Sequence, residues 1–377
     1  MKSDSFRVLT INAGSSSVKY SVFDTSANTQ LVHSEIERVA SVEEAVRGIP
    51  ALLEAQGITE LNAVGHRVAH GGAKFREPQI IDSDVIKDIE DCVPLAPLHN
   101  PPALAGIKVA SDAWPKVKQV AVFDTAFHQS IPERAFTYAV PEAWRKTGLR
   151  RYGFHGTSHK YVMQRVAEEL KAPATELRII SCHLGNGASV CAIERGASVD
   201  NSMGMTSLEG LVMGTRSGDV DPGIFAYLKR TLGLSVEQIE DALYKESGLA
   251  ALSGLGRDMR DIEKQAAEGN KKAQLAIQVY AYRARKYIGA YAAVMGGVDV
   301  IAFTGGIGEN SPDVRKAICD NLEYLGIEFD KSANSSKEKE KAITSEKSRA
   351  TVFVIPTNEE LMIALESREV VKSIKKK

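Results

Sequence analysis

The stretch TINAGSSSVKYSVFD, Thr10 to Asp24, sets a glycine and three consecutive serines between two strand-like runs and follows them with Lys19. Glycine permits a tight turn, serine hydroxyls and freed backbone N–H groups donate to anionic oxygen, and the lysine adds a full positive charge. This composition predicts a β-turn-β hairpin that holds phosphate, although an ordinary polar hairpin accounts for it equally well. A second copy decides between them. Residues 179–193, IISCHLGNGASVCAI, again run from an apolar strand through Gly185, Asn186 and Gly187 into another strand, in a register that sets Gly185 on Gly14. Two such hairpins in two halves of the chain predict a duplicated fold with a nucleotide held between its domains.

The rest of the composition agrees with that reading. At 377 residues and 44% hydrophobic, the chain is long enough for two domains with cores of their own. A formal charge of −1, with Lys and Arg scattered rather than interleaved with aromatics, argues against a nucleic-acid partner. Cys92, Cys182, Cys191 and Cys319 show no C-x-x-C spacing and read as reduced, structural thiols. The N-terminal MKSDSFR lacks a signal-peptide core, and the apolar run Ile288 to Val298 is shorter than the ~18 residues of a spanning helix. A cytosolic protein without a membrane partner is expected.

Strand-like runs at Arg7 to Asn12, Ser17 to Asp24, Ala63 to Val68 and Gln119 to Asp124 alternate with helical patterns such as Ser34 to Gln56, which predicts an α/β fold with a mixed sheet. A second series begins near Tyr152, with strands at 178–183, 188–194, 299–304 and 351–355 and helices at 157–170, 234–246, 258–295 and 312–324. The charged stretch 331–350 reads as an exposed excursion, and the lysine tail SIKKK as the solvated end of a last helix. At the start of that helix, Thr357 and Glu360 have capping-box spacing, which would leave Glu359 to face a ligand. Ser311 and Pro312 mark another helix start after FTGGIGEN, where Gly305, Gly306 and Gly308 allow close backbone approach to a ring or phosphate. Neither a Walker A pattern nor a strand-linked G-x-G-x-x-G occurs, so P-loop and dinucleotide folds lose ground.

Three further segments combine charge with turn chemistry: GHRVAHGG (65–72) with Arg67, VAVFDTAFHQ (120–129) with Asp124, and MGTRSGDVDPG (213–223) with Arg216. A buried structural ion pair would account for any one of them. Together they suit phosphoryl transfer, which asks mainly for positioning and charge neutralisation. Arg67 and Arg216 would clamp carboxylate and phosphoryl oxygens. Asp124, Glu359 and Asn12 offer hard oxygens for a divalent cation. His155 and His183 could donate to the transferred group, whereas His159 reads as a helix-start residue on the surface of the second half. His66, His70, His99 and His128 read as neighbours that orient these groups, since no metal-binding helix pattern surrounds them.

In this order, TINAGSSSVK, GHRVAHGG, APLHNPPAL, VFDTAFHQ, RYGFHGTSH, CHLGNGAS, MGTRSG, FTGGIGEN and IPTNEE resemble the motifs of the acetate kinase family along essentially the whole chain. The resemblance implies the actin and sugar-kinase superfamily: two duplicated ribonuclease-H-like domains, residues 1–150 with the C-terminal helix 357–377 and residues 151–356, closing over ATP. It implies reversible Mg²⁺-dependent transfer of the ATP γ-phosphate to acetate, giving acetyl phosphate and ADP, with Mn²⁺ as a substitute metal. Metal binding falls to Asn12 and Glu359, phosphate contact to Lys19, carboxylate binding to Arg67, an essential acid to Asp124, and transition-state contacts to His155 and Arg216. Nucleotide binding falls to His183, Leu184, Gly185, Asn186 and Gly187, to Asp258, Met259 and Arg260, and to Gly306, Ile307, Gly308, Glu309 and Asn310. A homodimer through the second domain is implied as well. The acyl pocket of the family is usually Val, Leu, Phe and Pro, whereas here it is Ala69, Leu98, Phe154 and Ser207; propionate kinases carry alanine at the first place, so propionate or broader short-chain activity is the alternative. A sugar kinase would need a base and hydroxyl-binding groups instead of paired arginines, and a chaperone-like or filament ATPase would need additional domain length.

Overall fold

The computed structural model describes residues 5–14 and 16–374. Ser15 of the first hairpin, the first four residues and the last three lysines therefore lie outside the described residues. The chain divides into two units. The first comprises the described residues up to Gln129, Gly156–Ser158 and those from Asn358 onward; the second comprises Ser130–His155 and His159–Thr357.

In the first unit, strands β1 (Arg7–Ala13), β2 (Ser17–Asp24) and β3 (Thr29–Glu37) form an antiparallel meander. Strand β4 (Ala63–Val68) lies parallel to β1, β6 (Lys118–Phe123) lies parallel to β4, and the short β5 (Gln79–Ile80) closes the edge antiparallel to β6. The second unit repeats the arrangement. There β7 (Arg178–Leu184), β8 (Ala188–Glu194) and β9 (Ala197–Asn201) form the meander, β10 (Val300–Thr304) lies parallel to β7, β12 (Thr351–Val354) parallel to β10, and β11 (Lys341–Ala342) antiparallel to β12. Sheet orders β3-β2-β1-β4-β6-β5 and β9-β8-β7-β10-β12-β11 are the same order twice. The repeat read from two hairpins thus extends to whole α/β sheets.

The central strands are apolar on both faces because each sheet is covered twice. In the first unit, Val46, Ile49 and Leu53 of one helix and Val109 and Ala110 of another pack on Leu9, Ile11 and Val64. Ile363, Ala364 and Val371 of the final helix (Glu359–Ile374) cover Val8, Val120 and Val122 on the other side. That helix sits so close that a Cβ on Gly65 would lie 2.8 Å from Ile363 Cγ2, so glycine in β4 lets the helix pack tightly on the strand. In the second unit the helix Lys271–Val294 buries Tyr280, Ala284 and Ile288 against Ile180, Ile301 and Phe303.

Several elements differ from the sequence reading. The helix expected over Ser34 to Gln56 begins only at Val42, after Ser41 caps it by accepting from the Glu44 N–H at 3.2 Å; the residues up to Glu37 complete β3, held by pairing such as Lys19 opposite Glu35. The helical stretch 258–295 is broken by Gly269, at φ +94°, and Asn270 caps the segment that follows. The helix from Pro312 stops at Cys319. Part of the stretch 331–350 is internal: Ile343 and Ala350 are buried, and buried Arg315 donates to Asn334 Oδ1 at 2.8 Å. At the expected capping box, Thr357 N–H donates to Glu309 Oε1 at 3.1 Å rather than to Glu360, which accepts from Ser21 Oγ at 2.5 Å, and Asn358 Oδ1 accepts from Leu361 N–H at 2.9 Å. All four cysteines are buried and outside any disulfide. Among the described residues no helix is long and apolar enough to cross a membrane.

Candidate active site

The parallel strands β1, β4 and β6 bring their carboxyl ends to one edge of the first sheet, where α/β proteins place ligand groups. Asn12, Arg67 and Asp124 stand there. Arg67 donates from Nε to Asp124 Oδ1 at 3.2 Å and from an NH2 nitrogen to Oδ2 at 2.5 Å, and its other terminal nitrogen donates to Asn12 Oδ1 at 3.2 Å. The buried ion pair that would account for these segments is therefore part of the structure. Asp124 is 1% exposed; burial raises its pKa above the usual carboxylate range, Arg67 opposes this and Glu359 adds to it. Arg67 is held protonated chiefly by Asp124, with Glu359 contributing after burial is offset. Burial also raises the carboxyl of Glu359, which opens the final helix and makes no side-chain hydrogen bond among the described residues. Two carboxylates thus share one guanidinium, beside an amide oxygen.

Among the described residues no group of three or more His, Cys, Asp or Glu side chains is arranged for a metal. The oxygen set of Asn12, Asp124 and Glu359 is nevertheless hard and carries excess negative charge, the donor chemistry that Mg²⁺ accepts. Lys19 lies opposite Asn12 in the β1–β2 ladder and reaches Glu35 at 3.3 Å. Two of the histidines here, His66 and His70, are tied into the scaffold. His66 Nε2 meets Gln119 Oε1 at 2.8 Å, and burial pushes its pKa down to about 4. The Asn100 amide brackets His70, accepting from its N–H at 3.2 Å and donating to its carbonyl at 3.0 Å, so the loop that carries buried Ala69 is fixed from below. His128 is fully buried, and the charge of His99 favours ionised Asp124. Leu98, by contrast, is 57% exposed.

In the second unit the turn after β7 is closed by Gly185 N–H donating to the Gly187 carbonyl at 3.0 Å. His155 adopts a left-handed backbone, φ 57°, just ahead of the helix Gly156–Leu170, a sparsely populated conformation that concentrates at functional sites. Its ring stacks on His183 at 4.3 Å between centroids. A Cβ on Gly187 would lie 3.4 Å from His155 Nε2 and 3.7 Å from an Arg216 terminal nitrogen, so both side chains face the same bare glycine. Arg216 donates to the Ser207 carbonyl at 3.2 Å and forms no ion pair among the described residues; burial lowers its pKa. Its loop is locked from behind, since a Cβ on Gly248 would meet the Arg216 backbone N at 3.0 Å and Gly214 N–H donates to the Asn186 carbonyl at 3.0 Å. Phe154 is buried, with its carbonyl accepting from Asn201 at 3.2 Å.

His159 is not on the surface. It is 0% exposed, with Nδ1 2.9 Å from Ser181 Oγ and Nε2 2.8 Å from Ser189 Oγ. The polar positions of β7 and β8 face inward to meet it, a pattern visible in the sequence only once the strands and the helix are known to share a layer. The remaining nucleotide candidates fall at two helix starts. Asp258 caps the helix Met259–Ala267 and pairs with exposed Arg260, whose hydrogen bonds hold the carboxyl down at about 2. Gly306, Ile307, Gly308, Glu309 and Asn310 form the short helix after β10, whose Gly306 N lies 3.9 Å from a Cβ placed on Gly185. Glu309 turns back to accept from Gly305 N–H at 2.9 Å and Thr357 N–H at 3.1 Å, a scaffolding role that the motif does not reveal. Leu184, at the end of β7, is buried in the core.

The chain matches the model of the acetokinase family over residues 35–365. An acetate kinase of Halothermothrix orenii is 46% identical over 397 residues, covering 97% of this chain and 100% of that protein. Among solved structures, the acetate kinase of Porphyromonas gingivalis is 42% identical with a TM-score of 0.93, covering 97% of this chain and 100% of that one. A propionate kinase from Francisella tularensis is 39% identical with a TM-score of 0.92 and the same coverage. At 11% identity and a TM-score of 0.50, a ROK hexokinase from Thermus thermophilus shares the fold alone.

Proposed function

Because the chain belongs to the acetokinase family, we propose that it is an ATP:acetate phosphotransferase that moves the γ-phosphate directly and in line to a carboxylate oxygen. The carrying observation is Arg216, a half-buried guanidinium without a carboxylate partner among the described residues, set with His155 Nε2 against Gly187. Such preorganised donors stabilise charge that develops on transferring phosphoryl oxygens. An acetate oxygen attacks the γ-phosphorus, the bond to the β–γ bridging oxygen breaks, and ADP leaves with that electron pair. Arg67, oriented by Asp124, holds the carboxylate; Lys19, the 183–187 turn, Asp258 to Arg260 and Gly306 to Asn310 hold the nucleotide. Asn12 and Glu359, with Asp124 beside them, would hold Mg²⁺, which when bound neutralises phosphate oxygens.

The same reading makes the protein a cytoplasmic homodimer that acts on small molecules rather than nucleic acid or membrane. The metal and the dimer rest on the family resemblance; the charge of −1 supports the absence of a polyanionic partner. Acetate is the favoured acceptor over propionate. The test is ATP formation from acetyl phosphate and ADP with purified protein and Mg²⁺, followed by stereochemistry at chirally labelled phosphorus. Turnover with inversion is expected. Retention, an isolated phosphoenzyme on the productive path, or no turnover with acetyl phosphate would overturn the reading.

A further inference from the structure

Behind His155 runs a chain of hydrogen bonds, the inner two buried: Ser181 Oγ to His159 Nδ1 at 2.9 Å, His159 Nε2 to Ser189 Oγ at 2.8 Å, and Ser189 Oγ to His155 Nδ1 at 2.9 Å. Ser181, Ser189 and His159 are each 0% exposed, so water does not compete for these groups. The direction of the chain follows from its inner end. Among the described residues the Ser181 hydroxyl meets no partner other than His159 Nδ1. A buried hydroxyl that accepted there would leave its own hydrogen unmade, which costs more than leaving a second lone pair unused. Ser181 therefore donates to His159 Nδ1. In a neutral ring the other nitrogen then bears the proton, so His159 Nε2–H donates to Ser189, and the Ser189 hydroxyl donates onward to His155 Nδ1. His155, with Nδ1 accepting, carries its hydrogen on Nε2, the nitrogen 3.4 Å from the Cβ position of Gly187 and beside Arg216.

We infer that Ser181, His159 and Ser189 are positioning residues that fix His155 in its Nε2–H tautomer, so that a neutral imidazole presents a donor to the transferring phosphoryl group. The effect on rate rests on the phosphoryl-transfer reading; the tautomer does not. A histidine obliged to gain a second proton before donating would lose its donor as pH rises, whereas a tautomer held by this chain of hydrogen bonds keeps it. The left-handed backbone of His155 serves the same end, because it turns the ring so that one nitrogen meets Ser189 while the other faces the glycine turn.

The experiment combines ¹⁵N spectra of histidine-labelled protein, which distinguish protonated from bare ring nitrogens, with steady-state kinetics on the full chain. In the parent protein His155 should show bare Nδ1 and protonated Nε2. Ser189→Ala and His159→Phe should lose that bias and lower kcat by about tenfold, the order expected from removing one ordinary hydrogen bond, with the KM for ATP within about twofold. His159→Gln, whose amide accepts from Ser181 and donates to Ser189, should keep both tautomer and rate. Protonated Nδ1 in the parent, or a Ser189→Ala variant with unchanged tautomer, overturns the inference. A changed tautomer without a change in kcat supports the relay and removes His155 from phosphoryl transfer instead.

Discussion

Arg67 and Arg216 are both half-buried arginines, one in each unit, and they differ in how their charge is met. Arg67 uses three nitrogens on Asp124 and Asn12, and a second carboxylate, Glu359, further favours its protonated form. Arg216 has a backbone carbonyl, a methionine sulfur and the ring of Tyr244 6.0 Å away, with no acid among the described residues. The first is a component of the scaffold as well as the proposed clamp. The second is held by glycine-lined backbone rather than by charge, which leaves its field directed at whatever anion enters.

The comparison is most easily broken by removing each arginine in turn. Both Arg67→Ala and Arg216→Ala should lower kcat/KM on the order of 10² to 10³, the usual loss for one preorganised charge-stabilising donor. Their stabilities should part. Removing Arg67 strands buried Asp124, which typically costs about 3–5 kcal/mol, whereas removing Arg216 strands no charge and frees only the partly open Ser207 carbonyl. Thermal denaturation should therefore show a marked drop for Arg67→Ala, a parent-like or raised midpoint for Arg216→Ala, and recovery in the double variant Arg67→Ala/Asp124→Asn. Equal losses in both single variants would sink the distinction. Arg67→Lys should restore only part of the activity, because an ammonium cannot grip two oxygens in a plane.

Glu359 sharpens the comparison from the acidic side. Its carboxyl is raised mainly by burial, with Glu360 adding and Arg67 and Lys19 opposing. A carboxyl raised on folding binds its proton more tightly in the native state, so native stability falls as pH climbs from about 4, the ordinary glutamate value, through the raised value, and the penalty is complete above it. Glu359→Gln should accordingly be more stable than the parent near neutrality, with the difference vanishing below about pH 4. Mg²⁺ should raise the melting temperature of the parent more than that of the variant at the same concentration, while the variant loses turnover and demands more metal. A parent whose melting temperature ignores Mg²⁺ would remove Glu359 from the metal site.

How far the sequence reaches is clear from these same residues. Arg67, Asp124, His155 and Arg216 are legible because charged side chains beside glycines, at the ends of apolar runs, sit where a plain hydrophobic core has no use for them. The meander-plus-parallel order is legible because the hairpin occurs twice. Partnerships are not. That Arg67 is already engaged, that His159 is internal and that Glu309 braces Thr357 depend on which strands become neighbours, and β7 meets β10 across more than a hundred residues of intervening chain. Local propensity misleads where a cap or a ladder overrides it. Ser34 to Glu37 reads as the start of a helix but pairs with β2, alternating half-buried and exposed positions, and Asn358 takes the capping place that the spacing of Thr357 and Glu360 suggests for them.

The smallest effect concerns acyl chain length, and it asks which unit discriminates, because the two altered pocket positions proposed from the resemblance fall one in each. Ala69 is 6% exposed and follows β4 in a loop pinned through His70 and Asn100, so a side chain enlarged there has little room to swing aside. Ser207 lends its carbonyl to Arg216 and is partly open. One methylene in an apolar pocket is worth roughly 1 to 3 kcal/mol of discrimination, and valine adds two such groups to Ala69. The parent should use propionate within about tenfold of acetate in kcat/KM. Ala69→Val should move the ratio towards acetate by at least about tenfold with little change in the acetate value, whereas Ser207→Pro should move it less, since its backbone is already committed to Arg216. A ratio untouched by Ala69→Val would take the first unit out of chain-length selection and leave the loop of the second to set it.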